Sequence, residues 1–150
     1  MKSKAILFCL TFLLMSGVGF SQGKDAPKSI ISQDVSISKY HDRKELEQMQ
    51  KGKLLGLYNE RIEIIVKILP YIAFATKPGV TMSTFGIPDT KENRNALDDQ
   101  IDATSNYFQS TMDFQNKILP YSDRANLIAA ILFYEETLKA LHIYSENNRF

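Results

Sequence analysis

An all-α fold, an antiparallel bundle of three main helices with room for a short fourth, is what this sequence predicts. Three observations carry it. Apolar residues recur at helical rather than alternating spacing over two long stretches, and they crowd nearly every face of a third. Asp42-Arg-Lys-Glu45 and Asp89-Thr-Lys-Glu92 both have the spacing of a helix N-terminal capping box. Pro70 and Pro120 fall where the first two stretches end.

The chain opens with a different signal. Lys2 and Lys4 precede an almost unbroken apolar run, Ala5 to Met15, and Gly19-Phe20-Ser21 then places small residues where a signal peptidase reads. This predicts a signal peptide over 1–21, of bacterial type, cleaved between Ser21 and Gln22 and delivering the chain to a periplasm or the exterior. The run is shorter than the roughly 20 residues of a membrane anchor. Cys9 follows Phe8 inside the run, which is no lipoprotein site. Cleavage leaves 129 residues, one ordinary domain, and removes the single Cys. The mature chain then stands on packing alone, without disulfides, and thiol chemistry is excluded. Losing Lys2 and Lys4 also leaves 16 Lys and Arg against 17 Asp and Glu. That balance lacks the basic excess that nucleic acid or an anionic membrane surface demands.

Residues 22–40 read as a tether, extended or disordered, with Pro27 and several Ser and little large apolar mass. The bundle domain is expected over 41–150. Its first helix starts at Asp42 and carries Leu46, Met49, Leu54, Leu57, Ile62, Ile65 and Leu69 at helical spacing. Gly52 and Gly56 weaken it by about 1 kcal/mol each relative to Ala. Pro70 stops or kinks it, and a short fourth helix is expected around Pro70 to Thr76. Val80 to Pro88 connects, with more apolar mass than a solvated loop needs, so it either packs back or forms a contact surface.

The second helix begins at Asp89. Leu97, Ile101, Phe108, Met112 and Leu119 form one stripe, with Ala96, Tyr107, Phe114 and Ile118 beside it. Asp98, Asp99, Asp102, Asn106, Gln109, Asp113 and Asn116 take the opposite face. The third helix, from about Arg124 to Ser145 and capped by Ser122 or Asp123, is apolar almost all round. Such a helix is either central or covered on two sides, by the bundle and by a partner or second copy.

One pentapeptide occurs twice, Lys67-Ile-Leu-Pro-Tyr71 and Lys117-Ile-Leu-Pro-Tyr121. Repeated use of a good helix stop explains it better than duplication. In an up-down-up bundle Tyr71 and Tyr121 fall at opposite poles, unless the first helix breaks into two.

Reactive constellations are missing from the sequence. The mature chain has two His, His41 and His142, with no metal-binding spacing between them or toward carboxylates, so no metal or other cofactor is expected. No Gly-x-Ser-x-Gly elbow and no phosphate-cradling Gly loop exists. Two residues break the local pattern. Arg61 falls in the arc of Leu57, Ile64, Ile65 and Ile68, and Glu135 falls among Ile128, Ile131, Leu132 and Leu138. A buried unpaired charge costs several kcal/mol, so the two are expected to pair, with Glu136 as the substitute acid. The alternatives are a register-setting ion pair and a polar pocket lined by Tyr58, Gln115, Tyr107 and Tyr134, with Thr104 and Thr111 near it.

Two functional classes follow. The first is a non-enzymatic protein-interaction or envelope-assembly accessory, with a protein partner or self-association. The second is a small-molecule carrier or sensor with its pocket near Arg61 and Glu135.

Overall fold

The computed structural model describes residues 27–73, 75 and 77–147. The expected signal peptide and residues 22–26 of the expected tether lie outside them. Four helices form within: α1 (Arg43–Gln48), α2 (Lys51–Ile68), α3 (Lys91–Ile118) and α4 (Arg124–Asn147). The three long ones make an up-down-up bundle and α1 is a short preface to α2. Among the described residues no strand forms, and the sole extended pairing is an isolated antiparallel bridge between Ser29 and Thr81.

The capping box at Asp42 forms as expected. Glu45 N donates to Asp42 Oδ1 at 2.8 Å, and Asp42 N donates to Glu45 Oε2 at 3.2 Å. The expected single first helix is two. Met49 and Gln50 are extended and break it. Arg124 holds the break open, donating to the carbonyls of Glu47 and Met49 (2.7 Å to the latter) that α1 leaves without helical partners. The short extra helix is therefore α1 rather than a segment near Pro70. There, α2 closes in a 3-10 turn, Leu69–Tyr71. α3 starts one residue later than expected, capped by Thr90, whose hydroxyl accepts from Asn93 N at 3.1 Å. Asp89 pairs instead with Arg94. Asp123 caps α4 through Ala125 N at 2.7 Å.

α2 and α4 run parallel and pack most closely. Arg124 binds the start of α2, Arg61 meets Glu135 at mid-length, and Ile64 and Ile68 share a core with Leu138 and Leu141 near both C-terminal ends. α3 runs antiparallel to both. Its far end reaches the start of α2, where Lys51 Nζ donates to Pro120 O at 2.7 Å. The core has two parts. Leu46, Leu54, Ile128 and Ile131 fill the first. Ile64, Ile68, Tyr71, Leu97, Leu138 and Leu141 build the second. Each fully buried aliphatic side chain contributes about 1.5–3 kcal/mol.

Residues 27–40 depart most from expectation. Ile30 (3 % exposed), Ile31 (1 %) and Val35 (5 %) belong to the second core cluster. The segment is a strap, extended yet bound to the bundle. Ile30 N donates to Val80 O at 2.8 Å and Gly79 N to Ile31 O at 3.1 Å, which fastens it to the α2–α3 connector. That connector packs back, with Met82 and Phe85 against the same cluster. Gly79 (φ 84°) and Gly86 (φ 69°) supply the left-handed turns it needs.

The repeated pentapeptide shows local sequence deciding local structure and context deciding burial. Both copies end a helix in the same 3-10 turn with Pro near its start. Tyr71 is 5 % exposed and Tyr121 is 87 % exposed, at opposite ends of the bundle.

Candidate functional site

Arg61 comes from mid-α2 and Glu135 from mid-α4. Each is completely buried, at 0 % exposure. Along both helices they fall between the two apolar clusters, after Leu54 and Ile131 and before Ile64 and Leu138. Arg61 Nη2 lies 2.8 Å and Nε 3.2 Å from Glu135 Oε1. The other polar atoms of both side chains also have partners. Arg61 Nη2 donates to Lys39 O at 2.7 Å, and Nη1 donates to Glu60 Oε2 at 2.6 Å. Glu135 Oε2 accepts from His41 N at 2.6 Å. His41 Nδ1 stands 3.2 Å from Glu135 Oε1 and 3.3 Å from Arg61 Nη2.

The strap thus completes the pair, contributing a carbonyl to the guanidinium and an amide to the carboxylate. Both charges are neutralised and hydrogen-bonded, the condition under which a buried ion pair is tolerated. The Glu135 carboxylate is engaged on both oxygens. The geometry is that of a lock on register and strap.

Of the other residues expected here, Tyr58 packs against Tyr134. Its ring lies 5.5 Å from that of Tyr134 at a 56° tilt. Burial, then the hydrogen bond it shares with Tyr134, pushes the Tyr58 phenol up to about 12. Glu136 does not join the pair. It faces solvent and binds Lys139 Nζ at 2.8 Å. Gln115 is half-buried on α3 and is not among the polar partners of Arg61 or Glu135. Thr104 and Thr111 bond back to their own helix, at Gln100 O and Tyr107 O. Tyr107 is 62 % exposed and lines no polar pocket with the pair.

Glu60 on α2, and Lys39 and His41 ahead of α1, are the partners that sequence reasoning missed. Adjacent apolar residues at Ile30-Ile31, followed by Val35 and Ile37, were the available signal that this segment docks. Tyr40, between Lys39 and His41, has its phenol raised, first by burial and then by the charge of Glu135.

Cavities lie elsewhere. A cleft of about 490 Å³ runs between the strap and α3, with Lys67 and Tyr71 at its wall and Thr104 and Ser105 opposite. An apolar groove of about 560 Å³ separates the end of α2 from α3, lined by Ile65, Val66, Leu69, Pro70, Ala103 and Tyr107 among others. Among the described residues no group of three or more His, Cys, Asp or Glu side chains is placed to hold a metal ion. No described helix is long and apolar enough to cross a membrane.

The outer faces are unusually apolar. On α3, Tyr107, Phe114 and Ile118 are 62 %, 60 % and 50 % exposed, at spacings of seven and four residues along one side. On α4, Phe133, Ile143 and Tyr144 are 67 %, 61 % and 46 % exposed, away from the face that carries Ile131 and Glu135. The two-sided apolar character of the third long helix is therefore half satisfied: one side meets the bundle and the other meets solvent.

No protein-family model, curated protein or solved structure matches this chain.

Proposed function

We propose that this chain is a non-enzymatic protein-interaction module, exported to a periplasm or the exterior and accessory to a larger envelope assembly. The exposed stripe of Tyr107, Phe114 and Ile118 on α3 carries this reading. Monomeric domains rarely leave clustered large apolar side chains in water unless something docks on them. The stripe continues into the α2–α3 groove through Tyr107. The occupant is a protein surface rather than a lipid one. α3 bears Asp98, Asp99, Asp102 and Asp113 on its other side, where an interfacial membrane helix would carry Lys and Arg. The Arg61–Glu135 pair supports the same reading, since both side chains are engaged in holding helices and strap together.

The test is site-specific photo-crosslinking in the native host, with the probe at Phe114 and a control probe at Asp102 on the polar face. A discrete protein adduct from Phe114 alone, lost in Tyr107→Ser/Ile118→Ser, supports the proposal. Equal or absent adducts from both positions contradict it.

The carrier reading moves from the pair to the cleft between strap and α3. A thermal midpoint that rises with a mixed-metabolite extract, and no longer does so in Ser105→Phe, would favour it instead.

A further inference from the structure

The outward side of α4 has a second regularity. Ala129, Phe133, Glu136, Ala140, Ile143 and Asn147 recur at alternating spacings of four and three, the seam of a two-helix coiled coil, and all six are exposed. The bundle itself does not use this seam. Its own contacts come from Leu127, Ile128, Ile131, Glu135, Leu138 and Leu141. We propose that the seam is the interface between two copies of this chain, α4 lying antiparallel on α4 about a two-fold axis near residue 138. The proposal rests on the interaction reading above and names one of its partners.

The sequence of the seam is self-complementary in that arrangement. A two-fold pairing with its axis at 138 sets Phe133 of one copy opposite Ile143 of the other, on both sides of the axis. Glu136 then faces Ala140, a small residue that leaves room for it. Lys139 neighbours Ala140 and so comes beside Glu136 of the other copy. Within one copy Lys139 Nζ already binds Glu136 Oε1 at 2.8 Å. Two Glu and two Lys therefore gather at the axis with no net charge. A parallel pairing would instead stack Glu136 on Glu136 and Phe133 on Phe133.

The area sets the strength. Aromatic side chains offer about 150–250 Å² each, so the exposed parts of Phe133, Ile143, Tyr144 and the two Ala amount to roughly 500 Å² per copy. Roughly 1,000 Å² in total is the lower edge of a specific interface and fits a reversible dimer.

Sedimentation equilibrium on the chain purified from its host, over a wide concentration range, reads the outcome. The expected result is a monomer–dimer equilibrium on the order of 10 μM, typical of small transient interfaces. Ala140→Glu weakens it at least tenfold, as do Glu136→Lys and Lys139→Glu singly. Combining Glu136→Lys with Lys139→Glu restores it. The α3 variant Phe114→Ser leaves it unchanged. Circular dichroism confirms that each variant is folded. A monomer at every concentration overturns the proposal, as does a dimer that ignores Ala140→Glu, that the charge swap fails to rescue, or that Phe114→Ser abolishes. None of these outcomes alters what a probe at Phe114 captures, so the two readings fail separately.

Discussion

Arg61 Nη2 and Glu135 Oε1 stand 2.8 Å apart, completely buried, and each residue makes a further hydrogen bond to backbone that precedes α1, Arg61 donating to Lys39 O and Glu135 accepting from His41 N. Removing one partner strands the other. Arg61→Met and Glu135→Leu are each expected to lower unfolding free energy by about 3–5 kcal/mol, and Arg61→Met/Glu135→Leu to recover most of that loss. Urea denaturation of the two single variants and the double variant closes the cycle. Additive losses would show that the pair is not coupled.

Burial of the strap gives it a stability role that a tether lacks. Ile31→Ala is expected to cost about 2–4 kcal/mol, the range for a fully buried aliphatic truncation. Thermal melting measures it. A shift no larger than that of the exposed Ser36→Ala would mean that the strap is free in solution.

Two titrations carry defined signs. Tyr58 has its folded value raised from 10.0 to about 12. The neutral phenol is the form the fold prefers, so its contribution is complete below pH 10 and is lost as pH rises through about 12. Absorbance titration of the tyrosines should show a last step near pH 12 that disappears in Tyr58→Phe. Glu45 has its value lowered, first by the hydrogen bond from Lys39 and then by the Asp42 amide. Its contribution is present above the ordinary 4.5 and is lost as pH falls through the lowered folded value. Carboxyl chemical shifts read this directly, and a Glu45 midpoint at or above 4.5 would remove the capping box from solution.

Gly56 sits in the interior of α2, solvent-exposed, and a Cβ there would meet nothing within 4 Å. Gly56→Ala should therefore raise stability by about 1 kcal/mol. A neutral or negative change in chemical denaturation would mean that the exposed face of α2 is occupied.

The long helices were legible because each rests on periodicity, and the pairing of Arg61 with Glu135 because an apolar arc has few ways to accept a charge. What escaped was everything set by distant partners. Met49 and Gln50 look helical in sequence, and the break between α1 and α2 is held by Arg124, more than seventy residues away. Ile30 and Ile31 look like isolated residues in a Ser-rich segment, and only the groove beside Ile64, Leu97 and Leu141 gives them a place.

In the proposed function Arg61 and Glu135 set the register of the bundle and the outer apolar faces bind the partner. The double variant Arg61→Met/Glu135→Leu, carrying the photo-crosslinker at Phe114, tests it most directly. The expected result is a folded chain that yields the same protein adduct as the unaltered pair. A folded chain that loses the adduct would place the pair in the binding function and overturn the reading.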